Sequence, residues 1–196
     1  MNVVSKSVVI SVVFVAALAT TGLWVSHASA EQFWTPEKLL GQQFKSSTRV
    51  SYVRVHVDPA QRAKVRARLG RDLPKLDYTF FVARSGDRID GFALFDEQLG
   101  QHEPISFATF LDPNGQITRV EVVSYREPYG DGIRAERFRK QFVGRGVHSR
   151  FRPGDDIDII SGATISSRSA CIAVERAAAL FDATLRGKDS AVLASR

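Results

Sequence analysis

The sequence has a single cysteine, Cys171, so no disulfide can form within the chain and the fold must rest on its hydrophobic core. We expect Cys171 to be a small, buried helix residue. No Gly-Lys-Ser/Thr follows a glycine-rich loop, and no G-x-S-x-G elbow is present, which excludes a nucleotidase-type phosphate loop and a serine nucleophile of that kind. His56, His102 and His148 lack metal-ligand spacing, so we predict no metal site.

The first thirty residues contain no acidic residue and one basic residue, Lys6. An apolar stretch over residues 7–25 is followed by small residues that end at Ala30, a pattern typical of a secretory signal peptide. An uncleaved membrane anchor through residues 8–25 is the alternative, since the stretch approaches the roughly 18 apolar residues that a spanning helix needs. Both interpretations predict a periplasmic or otherwise extracytoplasmic domain.

The rest of the chain carries more positive than negative charge. The whole sequence of 196 residues has a formal net charge of +6 and is 44% apolar, enough for the core of one domain. A basic surface often binds nucleic acid, but export argues against that partner. An anionic membrane surface or an acidic electron-transfer partner fits the predicted location better.

One helix can be bounded from its capping residues. Asp58 and Pro59 predict its start, and Gly70 its end. Its basic residues form either a solvated face or a docking patch. We assign residues 31–77, which include this helix, to an N-terminal helical or extension segment.

From Tyr78 onward the pattern becomes that of strands, rich in aromatic and β-branched residues. A DPNG turn at residues 112–115 predicts a hairpin. Helices are predicted over residues 135–142 and about 167–186. Strands followed by helices without a βαβ rhythm indicate an α+β fold, an antiparallel sheet with flanking helices, over residues 78–186, before a tail at 187–196.

The segment DIISGAT, residues 158–164, offers the most distinctive local chemistry. We expect a helix to begin just after Thr164, so backbone N–H groups there lack helical acceptors and favour an anion. Gly162 and Ala163 keep bulky side chains away from a ligand. Hydroxyl groups line the turn at Ser161, Thr164, Ser166 and Ser167. On spacing alone, an ordinary helix cap without a ligand explains the same residues.

The same seven residues resemble the D-x-x-(S/T)-G-A-T motif of the FMN-binding domain family. The C subunit of the sodium-translocating NADH:quinone reductase and the G subunit of the Rnf complex belong to this family. In the family, the final threonine carries covalent FMN through a phosphoester, installed from FAD by a magnesium-dependent flavin transferase outside the cytoplasm. The resemblance implies that Thr164 is the acceptor.

A weaker resemblance extends over about residues 78–185. It follows the family's order of a hairpin, a glycine-containing loop at residues 127–132, here called the glycine loop, a short helix and the DIISGAT motif. The glycine loop is altered here, although Glu127 and Gly130 are kept as candidate cofactor-binding residues. Tyr125, Tyr129 and Phe142 are candidate neighbours of the flavin ring, or core aromatics. Arg126 or Arg145 could stabilise reduced flavin, or be surface charges, and His102 could lie near the flavin.

The remaining motif residues each have two interpretations. Asp158 either orients the turn through backbone amides or helps the transferase's metal to activate the threonine hydroxyl. Ser161 is expected to hydrogen-bond within the turn. Ser166 and Ser167 either reach the phosphate or cap the helix.

The resemblance implies an exported electron-transfer flavoprotein, more an electron carrier than a complete enzyme. Its expected partners are the flavin transferase, a membrane redox protein and a membrane surface. The alternatives are a small flavin-dependent oxidoreductase with its own substrate, a domain with non-covalent FMN, and a flavin-free binding or assembly module.

Overall fold

A six-stranded antiparallel sheet forms the centre of the fold in the computed structural model, which describes residues 31–188. The predicted signal peptide and residues 189–196 of the predicted tail lie outside the described residues. The strands are β1 (Glu31–Gln32), β2 (Arg49–His56), β3 (Asp77–Ser85), β4 (Arg88–Leu99), β5 (Pro104–Leu111) and β6 (Ile117–Tyr125). They lie in the order β1-β6-β5-β4-β3-β2, so β2 to β6 form a meander.

Helices cover both faces of this sheet, which confirms the predicted α+β class. They are α1 (Pro36–Gln43), α2 (Pro59–Leu69), a 3₁₀-helix (Asp131–Arg134), α3 (Glu136–Lys140) and α4 (Thr164–Thr184). On one face α4 packs on β4 and β5. There the rings of Phe92 and Phe181 pack edge to face, with their centroids 4.9 Å apart. On the other face α1 buries Leu39 and Leu40 beside Phe110.

The capping residues of α2 act as their types predict. The Asp58 carboxylate accepts from the backbone N–H of Gln61 at 2.8 Å, and the Gln61 side chain accepts from the Asp58 N–H at 3.0 Å. Gly70 ends the helix in the left-handed conformation, with φ of 65°. The predicted boundaries of this helix are confirmed.

Helix α4 begins earlier than its sequence pattern suggests. The backbone N–H of Ser167 already donates to Ala163 O at 2.8 Å, so Thr164 is the first helical residue instead of the residue before the helix. Leu180 and Phe181 are buried on the side of α4 that packs on the sheet, and Cys171 is buried as expected.

Residues 31–77 contribute two edges of the sheet. The predicted helical or extension segment contains no predicted strand, yet β1 pairs with β6 and all eight residues of β2 pair with β3. In β2 only Val53 and Val55 are buried, because an edge strand exposes much of its surface. Its apolar pattern is correspondingly weak.

The DPNG turn confirms the predicted hairpin between β5 and β6. The Gly115 N–H donates to Asp112 O at 3.0 Å, and Gly115 has φ of +85°. A Cβ at this position would lie 2.6 Å from Val147 Cγ1 and 2.8 Å from Phe181 Cε1. Backbone conformation and lack of space therefore both require glycine.

We expect Gly115→Ala to lower the free energy of unfolding by about 2 kcal/mol, since it adds a clash to an unfavourable backbone angle. Gly86→Ala is the matched control, because Gly86 has φ of +62° but open space around a Cβ. The free energy of unfolding of Gly86→Ala should fall by only about 1 kcal/mol. Urea denaturation of both variants measures the difference, and equal losses would contradict the packing argument.

Candidate functional site

A tight turn precedes α4. The Ala163 N–H donates to Ile160 O at 2.9 Å, and Gly162 within the turn has φ of +77°. A Cβ on Gly162 would meet nothing within 4 Å, so the backbone angle, and not lack of space, requires glycine here. Ala163 is buried in the core, so its methyl group fixes the turn to the protein.

Thr164 is the first residue of α4 and is half-buried. Its hydroxyl makes no hydrogen bond with any residue in the range 31–188. No side chain of the described residues caps the helix, and its first N–H groups have no helical acceptors. The site therefore combines a hydroxyl oxygen that no residue in the range 31–188 binds with a helix end that favours negative charge.

The hydroxyls of Ser166 and Ser167 are engaged inside the protein. Ser167 is fully buried, and its Oγ accepts from the Ile160 N–H at 3.2 Å, which holds the turn against the helix. Ser166 Oγ lies 2.8 Å from the hydroxyl oxygen of Tyr125, and both residues are buried. Neither serine caps α4.

Asp158 and Ser161 are the two remaining polar residues of the motif, and both are exposed. Asp158 is exposed, and its backbone is held by the Gln141 side chain, which accepts from its N–H at 2.8 Å and donates to its carbonyl at 3.3 Å. The Asp158 carboxylate makes no hydrogen bond within the described part of the chain, so it does not orient the turn. Ser161 is exposed, and the hydrogen bond expected for it within the turn is not formed there.

A buried tyrosine connects the glycine loop to the start of α4. The Tyr125 hydroxyl donates to Tyr129 O at 2.5 Å and shares a hydrogen bond with Ser166 Oγ. Gly130 has φ of +96°, and a Cβ there would lie 2.7 Å from both hydroxyl oxygens. Burial raises the pKa of Tyr125 above its usual value, so it stays a neutral donor. Tyr125 thus supports the loop from within and joins it to the first turn of α4.

Glu127 connects a second loop to the same place. One carboxylate oxygen, Oε1, accepts from the N–H groups of His102 and Glu103 at 2.6 and 3.0 Å. Burial alone would raise the pKa of Glu127, but the hydrogen bonds from these backbone amides outweigh it and hold the pKa below its usual value. The ionised carboxylate therefore fastens the loop at residues 100–103 to the glycine loop.

This arrangement predicts a pH dependence of stability. Because the pKa of Glu127 is lower in the folded than in the unfolded protein, its ionisation stabilises the fold above the unfolded pKa of about 4.3, and this contribution is lost as the pH falls through the folded value. We expect Glu127→Gln to reduce the acid dependence of the free energy of unfolding, measured by urea titration from about pH 3 to 6. Glu37→Gln, at an exposed carboxylate on α1, is the control. An unchanged pH dependence in Glu127→Gln would contradict the assignment.

A groove of about 440 Å³ lies between α3 and the motif turn. Its volume falls within the range of about 300–1,000 Å³ that small-molecule sites occupy. Its lining is a mixture of apolar and polar side chains, from Arg137, Phe138, Gln141, Asp158, Ile159, Ile160 and Ser161. Only Asp158 and Ser161 among these lining residues were predicted from the sequence. The others are separated from the motif in the chain or have the pattern of ordinary helix and strand residues.

The model of the FMN-binding domain family matches residues 100–179, a range that includes the glycine loop, the groove, the motif turn and most of α4. This segment belongs to the FMN-binding domain family. The resemblance inferred from the DIISGAT motif is thereby confirmed. No curated protein sequence matches the chain significantly.

Two solved structures have a similar fold. The crystal structure of Shewanella oneidensis NqrC is similar with a TM-score of 0.51 and 15% identity, over 72% of this chain and 84% of that chain. The C subunit of the Na⁺-translocating NADH-quinone reductase from Parabacteroides distasonis is similar with a TM-score of 0.51 and 15% identity, over 79% of this chain and 86% of that chain. These similarities support the assignment of the fold.

The candidate ring neighbours of the FMN-binding domain lie in different environments. Tyr129 is 83% exposed beside the motif, whereas Phe142 is fully buried and stacks on Phe151. Phe142 is therefore a core residue. Arg145 donates to the carbonyl oxygens of Gln141 and Asp156 at 2.8 and 2.6 Å, so it holds the backbone beneath the groove.

The other candidate charges are on the surface. Arg126 and His102 are both exposed, His102 in the loop that Glu127 fastens. Across residues 31–188 there is no cluster of three or more side chains that could hold a metal ion. Among the helices of this same range, none is long and apolar enough to cross a membrane.

Proposed function

We propose that the chain is an exported electron-transfer flavoprotein in which FMN is attached through a phosphoester to Thr164 Oγ1. The observation that supports this most directly is the half-buried Thr164 hydroxyl, which is without a partner among residues 31–188 at the uncapped start of α4, inside an FMN-binding domain. An ordinary helix cap would use the hydroxyl to accept a backbone N–H. Here it is left for another bond.

Attachment requires a phosphoryl transfer that this chain undergoes and does not catalyse. With FAD as donor, Thr164 Oγ1 forms a bond to the FMN phosphorus, the bond to the AMP phosphate breaks, and the hydroxyl proton leaves with a base. The flavin transferase supplies magnesium for this step. We propose that the Asp158 carboxylate, six residues before Thr164 in the chain, approaches that metal; its exposure and its lack of a hydrogen bond in the described range support this role.

The chain's residues then hold the product. A phosphodiester keeps one negative charge, which the free N–H groups of α4 stabilise by about 0.3–1 kcal/mol. The groove beside the motif offers Ile159 and Ile160 as apolar surface and Gln141 and Arg137 as polar groups for the ring. When bound, FMN supplies reversible one- and two-electron redox chemistry, which the protein tunes through its surroundings.

The proposal includes a carrier role, in which the flavin passes electrons between two redox partners. The similarity in fold to the C subunit of a Na⁺-translocating NADH-quinone reductase supports a membrane redox protein as the electron donor or acceptor. Export, by the signal peptide or with residues 8–25 as an anchor, would place the domain in the periplasm or an equivalent compartment.

Co-expression with a flavin transferase tests the proposal. We expect mass spectrometry of the peptide that contains Thr164 to show an FMN phosphoester, and the yellow colour to survive boiling in detergent. An unmodified peptide from folded, exported protein would refute covalent attachment. Colour that is lost on denaturation would instead identify a non-covalent FMN domain, and a colourless protein a binding or assembly module.

The small-oxidoreductase alternative predicts a different kinetic result. Stopped-flow reduction of the purified flavoprotein with small-molecule donors should be slow if the chain is a carrier. Rapid turnover with a small molecule and no protein partner would favour an enzyme with its own substrate.

A further inference from the structure

Residue 31, where the described part of the chain begins, and Thr164, the proposed attachment residue, lie at the same end of the sheet. Glu31, where the described fold begins, is the register partner of Tyr125 in the β1–β6 pair. The Tyr125 hydroxyl lies 2.8 Å from Ser166 Oγ, two residues after Thr164. We call this the leader end: the edge formed by residue 31 and the loops at 99–104 and 125–130.

The direction of α4 confirms this placement. Near the leader end, Ser169 Oγ donates to the carbonyl oxygen of Leu99, the last residue of β4, at 2.7 Å. At its other extremity α4 brings Phe181 against the Gly115 turn. The helix therefore runs from the leader end to the opposite end, and Thr164 is at the leader end.

Exposed apolar side chains concentrate at the leader end. Four large ones lie on the strand end, loop and motif around Thr164: Leu99, Tyr129, Ile159 and Ile165, exposed by 58, 83, 40 and 45%. The opposite end has polar hairpin turns, with Asp87 and Asn114 exposed at their tips. Contiguous exposed apolar surface is typical of a docking face.

Aromatic and basic side chains surround the point where the leader joins. The Arg134 guanidinium lies 3.5 Å from the ring centroid of Phe33. Arg126 is exposed in the loop at 125–130, and Arg168 is exposed in the second turn of α4. Basic side chains beside a membrane attract anionic headgroups.

We propose that the leader end docks on the anionic lipid surface of the membrane that holds residues 8–25, so that Thr164 faces that membrane. The inference rests on the proposed function for its consequence, which is that the flavin exchanges electrons with a redox centre in the same membrane. Six peptide units separate Val25 from Glu31, a reach of about 20 Å when fully extended. This connection between Val25 and Glu31 is too short to let the leader end move far from the lipid.

The test uses the full-length chain in lipid nanodiscs that contain anionic lipid and a headgroup-attached quencher. A fluorophore is placed on Gln101→Cys at the leader end or on Asn114→Cys at the opposite end, both exposed positions. Native Cys171 is buried and does not compete for the label. We expect several-fold stronger quenching at position 101 than at 114, and equal quenching or the reverse would overturn the proposal.

A pair of substitutions tests the docking face itself. Leu99→Ser removes an apolar side chain at the leader end and should reduce quenching of the label at 101. Val143→Ser removes an apolar side chain of comparable exposure, 46%, beside the opposite end. It should leave the quenching of the label at 101 unchanged. If both variants behave alike, or if neutral lipid gives the same quenching as anionic lipid, the proposed lipid contact is wrong.

This result is independent of the flavin. The quenching difference should persist in Thr164→Ala, so a chain that carries no FMN but shows the difference would refute the proposed function and retain the orientation. A chain with FMN on Thr164 but without the quenching difference would support the proposed function and refute the orientation. Protein isolated from host membranes must also keep residues 8–25 by mass spectrometry, and their loss would overturn the tethered docking.

Discussion

Thr164→Ala is expected to abolish covalent flavin completely. The substitution removes the only atom through which the proposed phosphoester can form, and alanine is a favourable residue at this first helical position. Because the Thr164 hydroxyl makes no hydrogen bond within residues 31–188, its loss should leave the fold nearly as stable as before. In-gel flavin fluorescence after boiling in detergent, together with a urea melt, measures both consequences.

Two controls define the specificity of this effect. Thr164→Ser keeps a hydroxyl at the same place and should retain some covalent flavin. Ser161→Ala removes the neighbouring exposed hydroxyl, which is not the proposed acceptor, and should retain most of the covalent flavin. Persistent fluorescence in Thr164→Ala, or its disappearance in Ser161→Ala alone, would show that another residue carries the flavin.

Arg176→Met is expected to lower the free energy of unfolding by about 3 kcal/mol. The Arg176 side chain is buried, and its guanidinium donates to Asp96 Oδ2 at 2.6 Å, Gln98 Oε1 at 2.9 Å and Glu97 O at 2.7 Å. Truncation leaves a buried carboxylate that retains only Lys75, at 3.1 Å and half-exposed. Loss of the partner of a buried charge is among the more destabilising single changes in proteins.

The matched control is a surface ion pair on the same helix. Lys64 lies 2.8 Å from Asp182 on α4 but is 60% exposed, so Lys64→Met should lower stability by less than about 1 kcal/mol. Changing both partners, with Asp96→Leu and Arg176→Met together, should recover much of the loss because no charge stays buried alone. Chemical denaturation of the three variants is the measurement, and similar losses for Lys64→Met and Arg176→Met would contradict this account.

Local sequence signals predicted the elements that local chemistry controls. Asp58, Pro59 and Gly70 bound α2, and the DPNG turn closes its hairpin, because caps and turns depend on a few adjacent residues. Edge strand β2 was missed because it buries only two of its eight side chains. The start of α4 was misplaced by three residues, since small polar residues suit the end of a turn and the first turn of a helix equally well.

Within the candidate site, the sequence identified residues but not their tasks. Tyr125, Glu127 and Ser166 were expected near the cofactor, and in the structure all three hold loops together through buried hydrogen bonds. Apart from Tyr129, four positions from Tyr125, their partners lie 24 to 41 positions away along the chain, beyond the reach of any local pattern. Gln141 at the groove had no distinguishing signal for the same reason.

The sequence by itself determined the chemistry of the proposed acceptor, because the seven letters of DIISGAT are contiguous and specify a glycine-containing turn, a helix start and a hydroxyl. Only the tertiary structure decided which hydroxyls are engaged: packing of α4 buries Ser166 and Ser167 in hydrogen bonds, whereas Thr164 stays half-buried and its hydroxyl, like that of Ser161, has no hydrogen-bond partner within residues 31–188. Strand pairing places the beginning of the described chain at the same end of the sheet as Thr164. Those outcomes depend on contacts between distant strands, which no single segment encodes.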